Sequence, residues 1–95
     1  MAAERQNVNA ADVPVRQLDS RIRRVRGTTL LAGPQQALEL NAVADYIWRQ
    51  IDGIRTIAEI AEEVVREYDI DLETAIQDVS DIVGVFARHG LVGFR

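Results

Sequence analysis

Few side chains in this 95-residue sequence could carry out a reaction. It holds one histidine, His89, two serines, Ser20 and Ser80, and no cysteine. The missing cysteine removes disulfides, thiolate metal sites and a thiol nucleophile together. His89 closes the last helical pattern of the chain, where an imidazolium favours the negative end of the helix dipole, so it reads as a helix-terminal residue. Neither serine lies in a nucleophile-elbow pattern. Asp78 with Asp81, and Glu62 with Glu63, are paired acids at spacings that suit solvated helix faces. General acid–base work would need a cleft that sets such groups apart from water. No glycine-rich phosphate loop and no cluster at metal-ligand spacing occurs. The expectation is a protein with no catalysis, no metal and no cofactor of its own.

Composition then bounds what remains. Ninety-five residues with 47% hydrophobic content suit one domain with a modest core. Apolar runs are too short to span a membrane, and the N-terminus "MAAERQNVNAADV" has no apolar signal region, so a cytosolic address is expected. The net charge of −4 is unevenly spread. Residues 1–35 carry six arginines against three acids, and residues 36–95 carry five against twelve. A partner therefore meets an oriented field, basic in front and acidic behind.

Residues 1–12 are polar and aperiodic and read as a disordered arm, with the domain proper over 13–95. "RIRRV" (21–25), "TTLLA" (28–32) and "ALEL" (37–40) read as short strands, broken by Arg26-Gly27 and Gly33-Pro34. Leu38 and Leu40 share one face. At Asn41, an N-cap candidate, the period changes: Ala44, Ile47, Trp48 and Ile51 follow at helical spacing. Trp48 fits a core anchor better than a ligand platform. Gly53 reads as the left-handed stop, and Thr56 with Glu59 as a capping box for a second helix ending near Tyr68. Asp71 caps a third, with Leu72, Ile76, Val79, Val83 and Phe86 as its apolar stripe, ended by Gly90. The order is βββααα: an α+β winged helix-turn-helix, a three-stranded antiparallel sheet followed by three helices.

DNA binding is the common use of that shape, and a winged-helix regulator is the alternative reading. The third helix argues against nucleic acid. It carries Asp71, Glu73, Asp78 and Asp81 against one arginine, and phosphate binding rests on cationic contacts. The third strand points elsewhere. "QQALELN" has neither the lysine nor the proline that usually guards a sheet edge. An open edge beside an apolar helix can accept an extended peptide as a further strand. Cover by the chain's own arm, or by a second copy, is the competing use of that edge.

The ordered series "RGTTLLAGPQQALELN", "ADYIWRQIDGIRTIAEIAEEVVREYDID" and "DVSDIVGVFARHGLV" resembles the PqqD family of peptide chaperones, the RiPP recognition elements of ribosomally made, modified peptides. The likeness runs from about Val13 to Val92. It implies a winged-helix protein without catalysis that binds the leader segment of a precursor peptide. It also implies delivery to a modifying enzyme, a radical SAM protein in pyrroloquinoline quinone biosynthesis or a leader peptidase in lasso-peptide pathways. By position, the backbone of Ala37, Leu38 and Glu39 would pair with the leader. Asp78, Val79, Ile82, Val85 and Phe86 would line the helix side of the groove, with some of them shared with the packed core.

Overall fold

The computed structural model describes residues 8–33 and 37–95. Along them run β1 (Pro14–Arg16), β2 (Arg21–Val25), β3 (Thr28–Ala32), β4 (Ala37–Leu40), α1 (Ala42–Gln50), α2 (Ile57–Tyr68), α3 (Leu72–Arg88) and β5 (Val92–Phe94). Strands β2, β3 and β4 form one antiparallel sheet in that order. Arg26 and Gly27 both adopt positive φ, 53° and 81°, the geometry of the two-residue turn that suits twisted strands. The expected Gly33-Pro34 break falls partly on Pro34, which lies outside the described residues.

The sheet's inner face is set by cross-strand rows. Ile22, Leu31 and Leu38 stand opposite one another, as do Arg24, Thr29 and Leu40. Leu31 at their centre has no exposed surface. It joins Ile47, Trp48 and Ile51 of the α1 region, Ile57, Ile60 and Val64 of α2, and Ala75, Val79, Val83 and Phe86 of α3 in one core. Trp48 meets Phe86 edge to face, with centroids 5.4 Å apart. Such a pair adds about 0.5–1.5 kcal/mol to area burial.

Each helix begins on a side-chain cap, and several end groups find further partners. Asn41 Oδ1 accepts the Ala44 amide at 2.8 Å to start α1. The α1 stop lies two residues before Gly53: Ile51 is the C-cap, extended, with its amide on the Trp48 carbonyl. Gly53 takes its positive φ in the turn that follows, where Asp52 Oδ1 accepts the amides of Ile54 and Arg55. At α2 the capping box is complete, Thr56 Oγ1 accepting from Glu59 N and Glu59 Oε1 from Thr56 N. The remaining first-turn amides go to the arm: Ile57 donates to the Asp12 carbonyl and Ala58 to that of Ala10. After α3, Gly90 (φ 73°) and Leu91 donate to Ala87 and Phe86, the paired bonds of a Schellman motif.

Two expectations need correction, and the expected three-stranded sheet is joined by a second one. Residues 8–12 are not a disordered arm, since their carbonyls cap α2 and Val8 packs against the core; residues 1–7 lie outside the described ones. The three strands are joined by β1 and β5, which pair antiparallel as a second, two-stranded sheet (Pro14↔Phe94, Arg16↔Val92). Leu72 does not continue the α3 stripe; it is 44% exposed in the helix's first turn.

Candidate functional site

The direction of each main-chain group on β4 follows from the Arg26-Gly27 turn. In a two-residue hairpin the closing pair, here Val25↔Thr28, exchanges both hydrogen bonds, and bonded and non-bonded pairs then alternate. Thr28, Leu30 and Ala32 therefore turn their amides and carbonyls toward β2. Thr29 and Leu31 turn theirs toward β4, where their partners are Leu40 and Leu38. By the same alternation, Ala37 and Glu39 aim their N–H and C=O groups away from the sheet. The order β2-β3-β4 places no described strand on that side. The described part of the arm runs instead to α2, so it does not cover this edge.

This phase separates the three β4 residues expected to pair with a peptide. Ala37 and Glu39 offer open main-chain groups, whereas the main chain of Leu38 is committed to Leu31. Leu38 contributes its side chain, half-buried and packed against the core on the inner face. Sequence alternation identified which side chains face inward but not which amides face outward. The length of the β2–β3 turn carried that second signal.

The five residues assigned to α3 divide in two. Val79 and Phe86 have at most 1% of their surface exposed and belong to the core. Asp78 is exposed, and Ile82 is half-buried against the core, as Leu38 is. Val85, also half-buried, lines a hollow of about 390 Å³ with Val8, Ala10, Ser80, Gly84 and Arg88. At Gly84 an added Cβ would meet a Val8 methyl at 3.8 Å, ordinary van der Waals contact, so the arm packs close against this flank. The arm thus forms part of a wall beside the α3 flank, a feature that the polar composition of residues 1–12 concealed. Glu39 and Asp78 have no ion pair among the described residues. No cluster of three or more metal-ligating side chains occurs among them either.

The opposite edge of the sheet is built differently. β2 carries Arg21, Arg23 and Arg24, all exposed, and charged side chains along an edge oppose the addition of a further strand. One edge is guarded and the other is open. No described helix is long and apolar enough to cross a membrane.

Comparisons with known proteins agree with this fold. The family model of coenzyme PQQ synthesis protein D (PqqD) matches residues 27–92. A PqqA binding protein of Xanthomonas euvesicatoria pv. vesicatoria is 32% identical over 69 residues, covering 73% of this chain and 75% of that one. The solution structure of the PqqD part of Methylobacterium extorquens PqqCD, described as a stand-alone RiPP recognition element, superposes with a TM-score of 0.78. It is 23% identical, covering 90% of this chain and 94% of that chain. TbiB1 in complex with the TbiA(β) leader peptide superposes with a TM-score of 0.71 at 21% identity, covering 82% and 93%.

Proposed function

The chain belongs to the PqqD family, and from that premise we propose that it binds the leader segment of a ribosomally made precursor peptide and presents it to a modifying enzyme, without chemistry of its own. The observation that carries this reading is the open β4 edge, with Ala37 and Glu39 turned outward beside the half-buried side chains of Leu38 and Ile82. An extended leader adds there as a further strand. Its main chain takes register from Ala37 and Glu39, and alternate side chains fall on the inner side, toward Leu38 and α3. Strand addition depends little on side-chain identity, so selectivity rests with the few apolar contacts on that side. Ordering a flexible peptide offsets part of the gain.

The PqqA binding proteins among its relatives and the leader complex of TbiB1 support the ligand class. The receiving enzyme in this reading is a radical SAM protein or a leader peptidase, in the cytosol. The test is fluorescence anisotropy with a labelled precursor leader. A proline placed where the leader's amide meets β4 removes the donor and weakens binding at least tenfold, while prolines outside the paired segment have no such effect. Equal affinity for every proline variant would rule out strand addition.

A further inference from the structure

Four arginines gather on the side of the molecule away from β4. Arg16 of β1, Arg21 of β2 and Arg49 of α1 surround a hollow of about 190 Å³ with Ser20 and Trp48. Arg21 also lines the adjoining hollow of about 320 Å³ with Arg23 and Asp19, so the two form one continuous basic face. Arg16 is held in place there. Its Nη2 donates to the Trp48 carbonyl at 2.8 Å, and its guanidinium lies 5.0 Å from the centre of the Trp48 ring. Burial, and then the nearby charge of Arg49, lower its hold on its proton, with Asp52 opposing. Arg49 bonds Asp45 at 3.0 Å. Arg21 and Arg23 are exposed and have no ion pair among the described residues.

We propose that this arginine face docks a carboxylate-rich segment of a partner protein, so that leader and partner occupy opposite edges of one sheet at the same time; the proposal rests on the peptide-delivery reading. Guanidinium groups pair with carboxylates through two parallel hydrogen bonds, and Arg16, already held against Trp48, loses little freedom in doing so. A few arginines on a chain whose other surfaces are acidic suit a compact cluster of carboxylates. A DNA duplex would extend its phosphates beyond this face, over a chain whose net charge is −4. The face is separated from the open edge by β3, so neither ligand displaces the other.

The experiment titrates the 15N-labelled full chain with an octaglutamate peptide, and separately with a 20-base-pair duplex, at low salt. The expected result is shifts concentrated at Ser20, Arg21, Arg23 and Arg49 with none at Ala37 and Glu39. Arg21→Glu with Arg23→Glu weakens octaglutamate at least tenfold and leaves leader affinity unchanged. Should that pair fail to fold, Arg21→Gln with Arg23→Gln gives the same direction of change. Scattered shifts, an unaltered affinity in both pairs, tighter binding of the duplex at this face, or loss of octaglutamate binding when leader is added would each overturn the proposal. Failure of the leader reading is seen separately, as a wild-type chain that binds octaglutamate but no leader.

Discussion

The carbonyl oxygen of Asp12 accepts the amide of Ile57 at 2.9 Å, and that of Ala10 accepts from Ala58 at 3.0 Å. Two segments far apart in sequence are thereby fixed at the start of α2, where four amides would otherwise lack intrahelical partners. Deleting residues 1–12 is expected to cost about 1–3 kcal/mol from these two bonds. That lowers the melting midpoint by about 10 °C in a domain of this size. A thermal melt followed by helix circular dichroism checks it; an unchanged midpoint would show that water caps α2 equally well.

Core and groove on α3 separate by substitution. Phe86→Ala removes a side chain with 1% exposure that meets Trp48 edge to face, and is expected to cost about 3–5 kcal/mol. Ile82→Glu places a charge on a half-buried position, lowering leader affinity at least tenfold while the chain stays folded. Urea unfolding with Trp48 fluorescence, run beside the binding assay, distinguishes the two. If Ile82→Glu unfolds the chain, Ile82 is core and the groove lies elsewhere.

Two carboxylates link stability to acid. Asp52 is held below the ordinary carboxylate value by the backbone amide of Arg55 and then that of Ile54, and Asp71 by the amide and then the hydroxyl of Thr74. A pKa lower in the folded than in the unfolded chain means that the stabilisation is present above the unfolded value, about 3.9. It is lost as pH falls below that value through the folded one. Asp52→Asn combined with Asp71→Asn keeps the turn and cap acceptors but cannot titrate. The expected outcome is a shallower loss of melting temperature between about pH 4 and pH 2 than in the parent. Parallel profiles would mean that other groups set the acid limit.

Much of this was legible from residue types. Asn41, Thr56 with Glu59, and Asp71 each announce a helix start through local side-chain chemistry, and all three cap as their sequence suggests. β2, β3 and β4 were legible from β-forming runs bounded by turn residues. β1 and β5 were not, because three-residue strands have little periodicity and these two find each other only across the length of the chain. The same limit hid the arm's role, since carbonyls that cap a helix leave no mark on the sequence that supplies them. Within the site, Val79 and Phe86 lie on the helical stripe that the core also uses. Periodicity places a residue on a face but does not tell the buried middle of that face from its rim, where Ile82 sits. The unguarded edge and the resemblance both pointed to β4 as the proposed docking strand, and the turn geometry then sorted Leu38 from its two neighbours.

Amide hydrogen exchange, measured residue by residue with and without saturating leader peptide, tests strand addition at β4 most directly. In the free chain Leu38 and Leu40 are protected by β3, while Ala37 and Glu39 exchange quickly because their amides face out. With leader bound, Ala37 and Glu39 become protected and Leu38 and Leu40 change little. Protection gained instead at Ile22 and Arg24, whose main-chain groups face out along β2, or gained nowhere in the sheet, would contradict docking on β4.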